Sequence, residues 1–122
     1  MRLKRNRMQT IHHRNLTVTK DGEGVPIKSY SAESALDALV WPATSKLQIE
    51  QYGNEINRVK NVKLDGKYEV SYDETLGIEL FKINGAILKE NDGIRIHSKE
   101  KPDYKIVSIK PYEHLLLEVK KL

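Results

Sequence analysis

Apolar and polar residues alternate with a period of two along much of this chain. Tyr68, Val70 and Tyr72 share one side of a run whose other side is Lys67, Glu69 and Ser71. Such alternation predicts a half-buried strand, because successive side chains of a strand point to opposite faces. Ile78, Leu80 and Lys82 alternate with Glu79, Phe81 and Ile83. Tyr104, Ile106 and Ser108 alternate with Lys105, Val107 and Ile109. A looser alternation from Met8 to Thr19 sets Met8, Thr10 and His12 on one side, with Leu16 and Val18 further on. Asn61 to Leu64 reads as extended; Ile87-Leu88, Ile94 and Ile96 supply short segments, and Leu115, Leu117 and Val119 close the chain.

Turn residues separate these runs. Asp21-Gly22-Glu23-Gly24 predicts a turn, since glycine reaches positive φ at little cost, and Pro26 favours an extended exit. The polar stretch 19–34 reads as a long loop. Asp65-Gly66 and Asn84-Gly85 carry the residue types of two-residue hairpin turns, and Asn91-Asp92-Gly93 predicts a third turn. Ala32, Ala35, Leu36, Leu39 and Val40 fall on one helical face, yet Pro42 pushes Trp41 out of the α region. The expectation there is a short helical turn or loop that becomes a strand near Leu39–Thr44. Ser45 is an N-cap residue, and Gly53 suits a helix end, so a helix of about two turns is predicted over Lys46–Tyr52. The polar stretch from Tyr52 to Asn61 is expected to be a loop. Six or seven short strands with turns every 8–12 residues predict a mainly β fold, a small antiparallel β-barrel or sandwich with one short helix.

Composition narrows the class. The 122 residues suit a single domain spanning 1–122. Charged residues make up 31% and mean hydropathy is −0.59. No run approaches about 20 apolar residues, so no membrane-spanning helix is expected. The absence of cysteine excludes a disulfide scaffold, a thiol nucleophile and a zinc ribbon. The first residues lack the apolar core of a signal peptide, and a cytosolic setting is the default. Charge is uneven: residues 1–20 hold six basic and no acidic side chains, 21–75 six basic and ten acidic, 76–122 nine basic and seven acidic. Residues 1–7 are expected to form a flexible basic arm. Arg2, Lys4, Arg5 and Arg7, with Arg14 beyond them, are candidate contacts for DNA or an acidic partner.

The search for chemistry finds no catalytic constellation, so an enzyme is not expected. His12-His13 would point to opposite faces of a strand and cannot share one metal ion, and the pair reads as surface decoration. His97 and His114 have no acid or cysteine at ligand spacing. No Gly-x-Ser-x-Gly elbow, phosphate-binding loop or dinucleotide fingerprint is present. Asp73-Glu74 reads as a solvated loop. The tyrosines, Trp41 and Phe81 could stack on bases, but they are scattered and fit core and interface packing better. No metal or cofactor is expected.

Several features in chain order resemble the head-closure, or head–tail connector, proteins of tailed bacteriophages and of prophage-like elements of Gram-positive bacteria. Met8–Val18 is followed by Asp21-Gly22-Glu23-Gly24-Val25-Pro26. Val40-Trp41-Pro42-Ala43 looks like the family's strand with a tryptophan, and a short helix ends in Tyr52-Gly53. Asn91-Asp92-Gly93-Ile94-Arg95-Ile96 resembles the entry to the penultimate hairpin. Asp103-Tyr104-Lys105-Ile106-Val107-Ser108-Ile109 and the final Tyr112 and Leu115-Leu116-Leu117-Glu118-Val119 look like the family's last two strands. The segment Lys60–Ala86 departs from the family pattern in being longer and more regularly stranded.

The resemblance implies a ring of copies of this chain between the portal or adaptor protein and the tail terminator or tail tube protein. Such a ring would help close the DNA channel and dock the tail. Packaged DNA is a further expected contact, and no membrane is. The location implied is the virion head–tail interface, with the host bacterial cytoplasm during assembly. Asn54, Glu55, Asn57, Arg58 and Lys60 are the expected channel-facing loop. Free in solution the chain is expected to be a monomer or weak oligomer, since arms that order on assembly favour a templated ring. The alternative is a small β-barrel nucleic-acid-binding module of OB or SH3-like form.

Overall fold

A computed structural model describes residues 8–20, 22–31, 33–75 and 77–122. Among the described residues eleven strands occur in chain order: β1 (Gln9–Arg14), β2 (Leu16–Lys20), β3 (Pro26–Tyr30), β4 (Ser34–Pro42), β5 (Val59–Leu64), β6 (Tyr68–Asp73), β7 (Ile78–Ile83), β8 (Ala86–Leu88), β9 (Gly93–Arg95), β10 (Tyr104–Pro111) and β11 (Leu115–Lys121). Helix α1 (Lys46–Tyr52) and a 3-10 helix (Gly53–Arg58) join β4 to β5. Six strands close an antiparallel barrel in the order β1-β4-β5-β11-β10-β9, so the expected small barrel with one short helix is what the chain forms. Closure removes the free edges that an open sheet of this size would present. No helix among the described residues is long and apolar enough to cross a membrane.

Alternation fills the barrel. Ile11, Leu36, Ala38, Val62, Leu64, Ile94, Leu115, Leu117 and Val119 are buried on the inward faces of their strands. In β10 the alternation changes phase at a bulge between Ile106 and Ser108. Ile106 points into the core before it and Ile109 packs against the core after it. An extra residue shifts which parity faces inward, so the single unbroken alternation expected over Tyr104–Ile109 is corrected.

Two excursions leave the barrel. The first is the β2–β3 hairpin, with Leu16 opposite Tyr30 and Thr19 opposite Ile27. The expected loop over 19–34 is therefore largely a strand pair, and the predicted turn lies at its tip, with Gly24 at φ 83°. The second is the three-stranded sheet β6-β7-β8. Asp65-Gly66 does not close a hairpin, contrary to the prediction: β5 pairs with β4 and β11, and β6 pairs only with β7. The dipeptide instead lets the chain step out of the barrel wall. Asn84-Gly85 does turn β7 into β8, both residues having positive φ (47° and 83°). Phe81, Ile83, Ala86 and Leu88 of this sheet join the barrel's own buried cluster.

The helical turn expected near residues 32–40 is also corrected. Ser34–Pro42 is one nine-residue strand with Leu36 and Ala38 inward. Pairing with β1 on one side and β5 on the other outweighs the local helical spacing. Helix α1 begins and ends where predicted, with Ser45 Oγ accepting from the Gln48 amide and Gly53 at the C-terminal cap.

Candidate interaction surface

Helix α1 lies on the outer wall of β5 and β11 with its polar side inward. From the helix face, Gln48 Nε2 donates to Asn61 Oδ1 (2.6 Å), and Asn61 Nδ2 returns a bond to Gln48 Oε1 (3.3 Å). One turn on, Tyr52 Oη donates to Glu118 Oε2 (2.7 Å), while Lys110 Nζ sits 2.6 Å from Glu118 Oε1. Glu118 is buried although it points away from the barrel interior, because the helix covers it. Burial alone would raise the Glu118 carboxyl's pKa. The Lys110 and Tyr52 hydrogen bonds outweigh it, so the group stays ionised below the usual carboxylate range. Tyr52 is driven up by its own burial and by the Glu118 charge.

With its polar side spent inward, α1 turns apolar residues to solvent: Leu47 is 78% exposed and Ile49 is half exposed. Leu47, Trp41, Leu116, Tyr112, Lys110 and Asn61 are among the residues that line a groove of about 750 Å³. Trp41, Leu116 and Tyr112 continue into a smaller hollow of about 180 Å³ that reaches Lys63 and His114. Trp41 occupies the outer face of β4, opposite Asn61, so the strand pairing itself presents the indole beside the helix. The arrangement offers aromatic and aliphatic contact area with Lys110 and Glu50 in its lining. The buried Glu118 carboxylate behind the helix is held by Lys110 and Tyr52.

A second buried carboxylate anchors the excursions. Asp92 is fully buried and accepts hydrogen bonds from His13 Nε2 (2.8 Å), Asn15 Nδ2 (2.9 Å), the Leu16 amide (3.0 Å), the Lys89 amide (3.1 Å) and Lys89 Nζ (2.6 Å). Burial would raise its pKa, but the His13 and Lys89 bonds and the Leu16 amide together lower it. His13 is therefore buried and bonded, which corrects its expected place on the surface; its partner lies 79 residues away, beyond any local pattern. The turn Asn91-Asp92-Gly93 is real, with Asn91 at φ 75°, and its aspartate performs this second task.

The residues chosen from sequence scatter. Arg2, Lys4, Arg5 and Arg7 lie outside the described residues. Arg14 ends β1 and pairs with Glu33 (3.4 Å). Asn54, Glu55, Asn57 and Arg58 form the exposed 3-10 helix rather than a loop, and Lys60 is in β5 opposite Val119. Glu55 bonds Arg58 (3.5 Å) and approaches Lys120 (3.8 Å). Among the described ones, none lines the α1 groove. Trp41 and Tyr112 were visible as scattered aromatics, but their meeting depends on the β4–β5–β11 pairing. Among the described residues no three metal-ligating side chains converge. Compared with known proteins, the chain matches no family model, no curated protein and no solved structure.

Proposed function

We propose that the chain is a structural subunit of a ring at the head–tail interface of a tailed phage or prophage-like particle. The observation that carries this reading is where exposed apolar side chains sit. Val18, Val25 and Ile27 lie on the β2–β3 hairpin, and Trp41, Leu47 and Tyr112 line the α1 groove, two separate regions outside the barrel core. A subunit with a neighbour on each side needs two such surfaces, since head-to-tail contacts close into rings. Aromatic residues with charged margins suit interfaces of this kind. The chain-order likeness to head-closure proteins supplies the setting, with the adaptor and the tail as partners.

Electron microscopy of particles lacking this gene tests the reading. Free tails beside tail-less heads that have lost their DNA are expected. Normal tailed particles overturn it. A DNA affinity that falls by orders of magnitude between about 50 and 200 mM salt would favour a nucleic-acid-binding module instead.

A further inference from the structure

The sheet β6-β7-β8 has two outer edges, and they differ. The β8 edge is engaged: Asn15 Nδ2 donates to the Ile87 carbonyl (2.7 Å). Among the described residues no strand lies beside the β6 edge; β6 pairs with β7 alone. It carries no proline and pairs with β7 without a bulge, and its charges, Glu69 and Asp73, lie on the face opposite Val70. Its sequence, Tyr-Glu-Val-Ser-Tyr-Asp, is rich in strand-favouring residues. Tyr68, Val70 and Tyr72 share the face that Phe81 and Ile83 turn to the core, yet Val70 is 51% and Tyr72 62% exposed. The core-facing side of the sheet thus overhangs the barrel as an apolar ledge along the free edge.

We propose that two copies of the chain join through this edge, β6 antiparallel to β6, into a continuous six-stranded sheet. A twofold axis perpendicular to the sheet keeps the same face uppermost in both copies, so partners across the joint must share parity. The register centred on Val70 sets Val70 against Val70, Tyr68 against Tyr72, and Glu69 against Ser71. One step beyond, Lys67 of each copy meets Asp73 of the other, giving two opposite-charge pairs. The register centred on Ser71 sets Glu69 against Asp73 twice and is disfavoured, since like charges directly opposite repel. The doubled ledge then forms an apolar floor between the two barrels. Six residues of edge make a small interface, so the dimer is weak, with a Kd between about 10 μM and 1 mM. The contact closes on two copies and uses neither the hairpin nor the α1 groove. It stands or falls independently of the ring.

Sedimentation velocity across that concentration range tests the proposal. The intact chain is expected to pass from monomer to dimer. Val70→Lys, which sets two ammonium groups face to face on the axis, is expected to remain monomeric with an unchanged melting curve. Lys67→Glu and Asp73→Lys each create two like-charged pairs and are expected to weaken dimerisation about fivefold or more. An equimolar mixture of these two variants restores both opposite-charge pairs and is expected to dimerise as the parent does. A parent that stays monomeric at 1 mM (about the upper bound above), a Val70→Lys variant that still dimerises, or a mixture that gains nothing over its components overturns the proposal.

Discussion

Asp92→Asn is the most informative single substitution for the fold. The amide keeps the size and shape of the side chain but can accept at one oxygen only. Its nitrogen would face some of the five donors that now converge on the carboxylate. Lys89 Nζ, whose side chain is only 20% exposed, loses its counter-charge. Removing one partner of a buried, hydrogen-bonded charge pair costs about 3–5 kcal/mol. For a chain of this length, at about 3–5 °C per kcal/mol, that is a fall in Tm of about 10–20 °C. Urea unfolding at neutral pH should show the same loss with an unchanged m-value, since the native surface is unaltered. Lys89→Met removes one donor and leaves four, so it should cost less, about 1–3 kcal/mol. As a control, Asp37→Asn alters an exposed carboxylate that accepts from Thr10 Oγ1 at 3.3 Å and should stay within about 0.5 kcal/mol. A loss below about 1 kcal/mol for Asp92→Asn would refute the view that this carboxylate holds the excursions to the barrel.

Two further outcomes follow from the geometry. Asp92 and Glu118 both have pKa values lowered in the folded chain, so each holds its proton less tightly there than when unfolded. Their stabilisation is complete above the ordinary carboxylate range of about 4 and is lost as pH falls through and below it; urea midpoints taken from pH 7 to pH 3 should drop, and a flat profile would contradict the network. Gly93→Ala would place a Cβ 2.7 Å from Pro102 Cγ and 2.8 Å from Tyr30 Cε1, so a loss of about 1–3 kcal/mol in equilibrium unfolding is expected, and a neutral result would deny that close approach.

Much of the fold was legible where the determinants are local. Helix α1 is bounded by Ser45 and Gly53, which act through the backbone next to them. Asn84-Gly85 closes a hairpin because both residues tolerate positive φ. The extended runs of β6 and β7 follow from alternation, while the choice of Phe81 and Ile83 as the inward side of β7 depends on the barrel it covers. What escaped notice depends on distant pairing. The residues from Ala32 to Val40 suit a helix by spacing, and only β1 and β5 on either side make a strand of Ser34–Pro42. His13 has no local reason to be buried. Its reason is Asp92, whose five bonds come from residues 13–16, some 80 positions earlier, and from the neighbouring Lys89. The α1 groove was hidden by an inversion. An amphipathic helix ordinarily turns its aliphatic residues inward, but here Gln48 and Tyr52 face inward and Leu47 and Ile49 outward, because the wall beneath carries Asn61 and Glu118.

The β2–β3 hairpin is rooted where the barrel wall is thinnest. Strand β9 pairs with β1 over three residues and with β10 over two, fewer than any other junction in the barrel. At the root, Asn15 and Ser31 exchange backbone and side-chain bonds of 2.9 Å, and Asn15 and Leu16 both bond Asp92, the residue before β9. The hairpin is thus a lever with its fulcrum at that seam. A sideways load on its tip is carried to the barrel by the chain at Asn15, by the Asp92 carboxylate and by the bonds to Ile87 and Lys89, all beside the shortest junctions of the cylinder.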